Sequence, residues 1–206
     1  MYDGVRVVGT IKYEAFDRRL DGEAWNAYTQ FGEDGLINAV LEKIGTVTQF
    51  CFEVGAADGM FYSNTLRLRE QGWGAVLIEA ESQQFASLER YASDEVHCIH
   101  EEVRSLDETL SRCDAPNEVD LGIIDIDGQD YWLWHDMQKY RPRVMLVEFH
   151  WRDGEDFIPP RDPEDRRQAG RNALLSLGQS KGYVAVAQTH VNLLFVQEQL
   201  WGPIEA

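Results

Sequence analysis

The residues in this chain best suited to chemistry begin with an acidic, glycine-containing segment at positions 52–59. Its spacing is E-x-G-x-x-x-G, which differs from the G-x-G-x-x-G of dinucleotide sites. Gly55 and Gly59 allow the backbone to approach a ligand without a Cβ atom in the way. Carboxylates at Glu53 and Asp58 suit a ligand that carries an amino group. The alternative interpretation is a tight strand-to-helix turn that binds nothing.

A second acid, Glu79, ends a predicted apolar strand and lies 20 residues past Gly59. Rossmann-like sheets place at this position the carboxylate that holds ribose hydroxyls, and one carboxylate can accept from both of them. Ala80 is a further candidate contact, and Glu102, just past the next predicted strand, is a candidate neighbour of the base. Glu79 alone could be an acid on the surface at a strand end. Together with the glycine segment, it favours a nucleoside-containing cofactor.

Acids also follow the fourth and fifth predicted strands. Asp125 and Asp127 are two residues apart, as are Glu148 and His150, so each pair can share one face of its strand. If the strands are neighbours, these side chains meet at one sheet edge, where they could hold Mg²⁺ or Mn²⁺. In a metal-free alternative, His150 or Asp127 is a general base. In a third interpretation, Asp127 and Asp130 only form and cap a turn.

The positioning of these residues depends on alternating strands and helices. Apolar runs predict strands, and helical spacing predicts helices. The strands are residues 49–54, 75–80, 96–100, 120–126, 144–149, 183–188 and 191–197, and the helices are 30–45, 63–71, 82–92, 105–113, 131–139 and 172–181. This order predicts an α/β, Rossmann-like fold: a mostly parallel seven-stranded sheet with helices on both faces and an antiparallel C-terminal hairpin. We expect an N-terminal extension at 1–25 and one domain at 26–206, with 152–171 as a candidate substrate loop.

Six short motifs, in this order along the chain, resemble those of the FkbM-type S-adenosylmethionine-dependent methyltransferases. They are QFGEDG at 30–35, FEVGAADG at 52–59, SNT at 63–65, GWG at 72–74, LIE at 77–79 and IDIDGQDY at 124–131. The resemblance covers residues 28–150. It implies a class I methyltransferase fold, S-adenosylmethionine as cofactor, and O-methylation of sugars or other small hydroxylated molecules.

The resemblance also implies roles for individual residues. The methionine portion of the cofactor would be lined by Glu53, Gly55, Asp58 and Gly59, with Gln30 and Asn64 as further pocket residues. Ala56, within the same segment, is a further candidate cofactor contact. Glu79 would hold the ribose, and Asp125 would lie beside the methyl donor. Methyl transfer requires an acceptor atom in line with the methyl group, about 3 Å away, that loses its proton. Asp125, Asp127 and His150 are therefore the candidate catalytic residues, and no cysteine or serine nucleophile is needed.

Composition and charge argue against several classes of protein. The formal net charge of −17 opposes binding to a phosphate backbone, so we expect no nucleic-acid partner. No apolar run approaches the roughly 18–20 residues of a membrane span, and no signal peptide is predicted. Three scattered cysteines suit a reducing compartment. These features predict a cytoplasmic protein with no membrane partner, which could form homo-oligomers.

Three functions follow from these patterns. The first is an S-adenosylmethionine-dependent O-methyltransferase whose partner is a small-molecule or glycan acceptor. The second is a non-catalytic nucleoside-binding module of the same fold. The third is a metal-dependent hydrolase that uses Asp125, Asp127, Glu148 and His150, but it leaves the glycine segment without a role.

Overall fold

The computed structural model describes residues 13–205. The strands are β1 Glu14–Ala15, β2 Phe50–Val54, β3 Gly74–Glu79, β4 Val96–His100, β5 Leu121–Ile124, β6 Val144–Glu148, β7 Tyr183–Gln188 and β8 Asn192–Gln197. The helices are α1 Glu33–Ile44, α2 Leu66–Glu70, α3 Ser82–Leu88, α4 Leu106–Arg112, α5 Asp130–Asp136, α6 Arg171–Ser180 and α7 Glu198–Trp201. Single 3₁₀ turns span Arg18–Leu20 and Glu89–Tyr91.

The strands form one sheet in the order β1-β7-β8-β6-β5-β2-β3-β4. Five neighbouring strands in this order, β6, β5, β2, β3 and β4, are parallel. The other three, β8, β7 and β1, join the sheet by antiparallel pairing. The predicted α/β, Rossmann-like class and the antiparallel C-terminal hairpin are thereby confirmed. The chain runs outward from β2 in both directions, so a switch point lies between β2 and β5. Open α/β sheets bind ligands at this kind of point, beyond the carboxyl ends of the strands.

Apolar side chains alternate between two cores, one on each face of the sheet. Phe52 and Val54 face the core under α4, α5 and α6, while Cys51 faces the core under α1. In α1, Leu36 and Val40 are buried against the sheet, as expected for residues at helical spacing. Because both faces are covered, the central strands are almost entirely apolar, as in β5, with Glu53 of β2 as an exception.

The sheet has one strand more than the seven expected. The extra strand, β1, is two residues long, and Ala15 pairs with Ala187 of β7. So short a strand leaves no alternating pattern in the sequence. The part of the expected extension that the structure describes packs on the domain, since Leu20 is buried in the core under α1. The remainder of the expected extension, residues 1–12, lies outside the described residues.

Two helices begin later than expected because polar side chains hold the chain in loops before them. Helix α1 begins at Glu33, and Asp34 accepts hydrogen bonds from the backbone amides of residues 27–29. Helix α2 begins at Leu66, because the side chains of Ser63 and Thr65 are bound to Glu53. Within residues 13–205, no helix is long and apolar enough to cross a membrane.

We expect Gly55→Ala to lower the free energy of unfolding by at least about 3 kcal/mol. A Cβ atom there would lie 1.7 Å from the carbonyl oxygen of Asp125, in a backbone with φ of +82°. Gly72→Ala is the matched control: its φ is +88° with no atom within 4 Å of the new Cβ, so it should cost only about 1–2 kcal/mol. Urea unfolding followed by circular dichroism measures both. Equal losses would show that the Asp125 contact imposes no constraint.

Candidate active site

A cleft of about 1120 Å³ lies at the carboxyl ends of β2, β3, β4 and β5, and we call it the edge cleft. Small-molecule sites have volumes of about 300–1,000 Å³, so two small ligands could occupy it together. Its walls are the loops after these strands, helix α5 and part of the 152–171 loop. Of the predicted site residues, the lining includes Glu53, Gly55, Ala56, Asn64, Glu79, Ala80, Glu102, Asp125 and Asp127.

The glycine segment forms the turn between β2 and α2. The amides of Gly55 and Ala56 both donate to the carbonyl of Ile78, at 3.0 and 3.1 Å, which fixes the turn to β3. Asp58 and Gly59 do not line the edge cleft. The Asp58 carboxylate accepts from the next two non-glycine amides, Met60 and Phe61, at 2.9 and 2.7 Å. A Cβ on Gly59 would meet the side chains of Leu88 and Tyr91, so this glycine allows close packing with α3.

Glu53 is a buried carboxylate at the inner wall of the edge cleft. It accepts from the Ser63 hydroxyl at 2.9 Å, the Asn64 amide at 2.8 Å and the Thr65 hydroxyl. Burial raises the pKa of Glu53, and these hydrogen bonds partly oppose that rise. The Oδ1 atom of Asn64 is buried with no hydrogen-bond partner among the described residues, although the residue lines the cleft. An unpartnered buried acceptor of this kind is costly unless a ligand supplies a donor.

Glu79 ends β3 with its carboxylate at the cleft wall. One oxygen accepts from the Ala57 amide at 2.8 Å and the other from the Glu81 amide at 2.7 Å. A carboxylate has about four lone-pair positions, so two remain for a ligand. Ala80 and Glu102 are exposed in the same wall.

Asp125 and Glu148, from the ends of the adjacent strands β5 and β6, share a hydrogen bond between their carboxyl groups. Burial raises the pKa of both groups, with repulsion from Asp130 and Asp127 adding to the effect. Two carboxyl groups so close are not readily ionised together, so the pair holds a proton, and Glu148, whose pKa is raised more, is the favoured donor to Asp125. Gln168 donates its side-chain amide to Oε2 of Glu148. Asp125 thus faces the cleft with a neutral partner behind it.

The other acids after β5 have different roles. Asp130, the first residue of α5, closes the turn before that helix by accepting from the amides of Ile126 and Gly128, at 2.9 and 3.1 Å. Burial raises the pKa of Asp130 to about 6. Asp127 is exposed in the cleft, with Oδ1 3.5 Å from the side-chain amide of Gln168.

The predicted metal site is not assembled. Among residues 13–205, no group of three or more histidine, cysteine or acidic side chains is arranged to hold a metal ion. The Glu148 carboxyl is engaged by Asp125 and Gln168. His150 does not line the cleft, since its Nδ1 accepts from the Arg152 amide at 3.0 Å and its ring stacks on Trp151. The side chains of Asp125, Asp127, Glu148 and His150 therefore do not converge on a common ligand position.

Gln30 also lies apart from the cleft lining. Its side chain is exposed, and its carbonyl accepts from the side-chain amide of Asn26 at 3.0 Å. Glu33, in the same QFGEDG motif, has a structural role. Its carboxylate accepts from the Thr189 hydroxyl at 2.7 Å and from the Asn192 side-chain amide at 3.2 Å. These contacts attach the start of α1 to the β7–β8 hairpin.

The 152–171 loop forms the wall of the edge cleft nearest α5. Trp132 donates its indole N–H to the Pro159 carbonyl at 2.8 Å, and Arg161 pairs with Asp136 at 2.8 Å. Gln129 donates to two further loop carbonyls, both at 3.2 Å. The loop is therefore attached to α5, and its role in substrate binding stays a prediction.

Three residues at or beside the cleft were missed from the sequence. Gln168 lies in a polar loop where no local pattern marks it, so only its contact with Glu148 reveals it. Phe61 and Tyr62 line the cleft with exposed rings. A run of large apolar residues within a loop was a signal that could have identified this aromatic pair.

Comparisons with known proteins find similarity in structure only. No family model matches the chain, and no curated protein matches it. A candidate O-methyltransferase from Klebsiella pneumoniae has a TM-score of 0.55 and 16% identity, covering 93% of this chain and 90% of that one. The N-terminal domain of EvdMO1 with SAH bound has a TM-score of 0.55 and 14% identity, covering 82% of each chain. An O-methyltransferase from Bacillus cereus in complex with SAH has a TM-score of 0.52 and 19% identity, covering 79% and 78%.

At these identities the similarity establishes the fold alone. The chain has the Rossmann-like methyltransferase fold, as its strand order and the position of its cleft also indicate. The narrower assignment to the FkbM family stays a prediction.

We expect Glu148→Gln to stabilise the protein at high pH and to leave it nearly unchanged at low pH. The folded pKa of Glu148 is raised to about 11, so the stability contributed by its neutral form is full below its ordinary pKa of about 4.5 and falls steadily as pH rises from there toward the folded pKa. Glutamine stays neutral and can still donate to Asp125 and accept from Gln168. Thermal unfolding between about pH 5 and 9 measures the difference. The control is Glu95→Gln, at an exposed acid, and a wild-type curve parallel to that of Glu148→Gln would contradict the assignment.

Proposed function

We propose that this protein is an S-adenosylmethionine-dependent methyltransferase that methylates a hydroxyl oxygen of a small molecule. The observation that carries the proposal is the unpartnered Oδ1 atom of Asn64, buried in the wall of a cleft that also presents Glu79. Both groups are acceptors, and S-adenosylmethionine carries donors in its ammonium group and its ribose hydroxyls. The SAH complexes of two similar structures support the same cofactor.

The residues of the edge cleft fit this cofactor. In the proposal, Asn64 Oδ1 accepts from the ammonium group and Glu79 accepts from the ribose hydroxyls. Gly55 and Ala56 form the part of the cleft wall where the protein backbone would lie against the ligand. Asp125 places a carboxylate near the sulfonium, where a negative charge is favourable.

Asp125 is the proposed proton acceptor. When bound, S-adenosylmethionine supplies an electrophilic methyl group on its sulfonium. Asp125 would accept the proton that the acceptor hydroxyl loses, and a pKa raised to about 7 suits it to act as a base near neutral pH. Glu148 donates its proton to Asp125 in a hydrogen bond, which orients that carboxylate. Gln168 in turn holds Glu148.

A divalent metal is not part of this proposal, because the side chains at the β5 and β6 ends do not fit one. A non-catalytic nucleoside-binding module remains the second candidate, since its binding site would be the same. Methyl transfer distinguishes the two.

A cytoplasmic location is also proposed, supported by the three unpaired cysteines Cys51, Cys98 and Cys113. Self-association and a glycan acceptor stay predictions.

Two isosteric variants should separate the contributions of ribose binding and of charge. Glu79→Gln is expected to lower the affinity for S-adenosylmethionine and for S-adenosylhomocysteine equally, by about tenfold or more, because both ligands carry the ribose. Asp125→Asn should lower the affinity for S-adenosylmethionine more than the affinity for S-adenosylhomocysteine, because only the former carries the sulfonium charge. Isothermal titration calorimetry measures both, with Glu95→Gln as a control for net charge. If the wild-type protein binds neither ligand, the proposed function is wrong.

Asp125→Asn is also expected to slow methyl transfer by about 100-fold or more, the usual contribution of a positioned base. The wild-type rate should rise with pH as Asp125 ionises. Transfer of a deuterated methyl group to a mixture of small hydroxylated compounds, followed by mass spectrometry, provides the measurement. Excess chelator should leave the rate unchanged, whereas loss of activity in chelator would restore the metal hypothesis. Cofactor binding without any transfer would favour the binding module.

A further inference from the structure

Three large apolar side chains are exposed in succession beside the glycine segment. Met60, Phe61 and Tyr62 are 53%, 64% and 45% exposed. The rings of Phe61 and Tyr62 contact each other, with centroids 3.8 Å apart and planes at 42°. Both rings line the edge cleft, whereas Met60 does not. Clustered apolar surface of this kind on a soluble domain typically marks a binding site.

The backbone that carries these rings is held from both sides. Before them, the Asp58 carboxylate accepts from the Met60 and Phe61 amides. After them, the buried Glu53 carboxylate holds residues 63–65. Tyr62 itself has φ of +56°, an unfavourable conformation for an aromatic residue. The rings are therefore fixed in an exposed position even though the backbone strain opposes it, a combination found at functional sites.

The cleft beside the rings is strongly acidic. Its lining has nine carboxyl groups and three guanidinium groups, and one of these, Arg161, is paired with Asp136. Exposed carboxylates at Glu81, Glu102 and Glu164 have no ion pair among residues 13–205. An anionic ligand would be repelled here, while a neutral or cationic one would not.

We propose that Phe61 and Tyr62 form the acceptor subsite, and that it binds a neutral or cationic hydroxylated aromatic ring. This inference rests on the proposed function and names the substrate class of the same site. An aromatic ring gains offset or edge-to-face contacts with the two side chains beyond the burial of apolar area. The patch offers a single polar atom, the Tyr62 hydroxyl, so it suits a ring better than a polyhydroxylated chain. The ring would lie in the cleft that also contains Asp125.

Ligand-observed saturation-transfer NMR with the protein saturated in S-adenosylhomocysteine provides the test. The probes are phenol, tyramine, 4-hydroxyphenylacetate and methyl glucoside. Phenol and tyramine should receive saturation and compete with each other. The carboxylate probe should bind more weakly than tyramine, and added salt should reduce this difference because it screens charge. Methyl glucoside should give the weakest signal.

Two variants link this binding to the aromatic pair. Phe61→Ala and Tyr62→Gly should each lower the affinity for tyramine by about tenfold or more, as expected for the loss of a buried aromatic contact. Glycine suits the positive φ at position 62, so Tyr62→Gly should fold at least as stably as the wild type, which separates loss of binding from loss of structure. Met60→Ala is the matched control, an exposed neighbour outside the cleft lining, and should retain tyramine affinity within about twofold.

The inference is overturned if the aromatic probes show no saturation transfer, if their binding survives both variants, or if methyl glucoside or the carboxylate probe binds best. Its failure is distinct from failure of the proposed function. Binding of S-adenosylhomocysteine with no aromatic binding overturns the acceptor class alone. Absence of cofactor binding in calorimetry overturns the proposed function.

Discussion

The functional edge of this protein depends on the close approach of two backbone segments, the turn at Gly55 and the end of β5 at Asp125. No side chain fits between them, because a Cβ on Gly55 would lie 1.7 Å from the Asp125 carbonyl oxygen. The Asp125 amide donates to the Val54 carbonyl, and the Gly55 amide donates to the Ile78 carbonyl. The ends of β2, β3 and β5 are thereby fixed together. Glu79 and Asp125 consequently face the same cleft.

Two sets of buried carboxyl groups at this edge are stabilised in different ways. Burying a charge costs free energy unless hydrogen bonds or partners compensate. Glu53 is compensated by hydroxyl and amide donors from the loop before α2, so its role is to hold that loop. Asp125 and Glu148 instead compensate each other by sharing a proton. This second arrangement leaves a carboxylate that can exchange a proton near neutral pH, which is what a base requires.

Local patterns predicted the sheet well and the site in part. Strand-end acids at Glu79 and Asp125 were placed correctly at the cleft, because apolar runs of this length mark both the strand and its end. The pattern could not show which side chains turn inward. Asp58 was expected to face a ligand, but it instead closes the turn that presents Phe61. His150 was expected beside the acids of the fourth strand, but it turns to a neighbouring amide.

The sequence by itself determined the order of strands and helices, the antiparallel hairpin and the acids at the strand ends, since each follows from residues close along the chain. Only the tertiary structure decided that the Glu148 carboxyl meets that of Asp125, that Gln168 reaches Glu148 and Asp127 from a distant loop, and that no metal site forms among the described residues. These contacts join positions far apart in sequence. Their geometry depends on how the loops pack after the sheet has formed, and no local spacing encodes that packing.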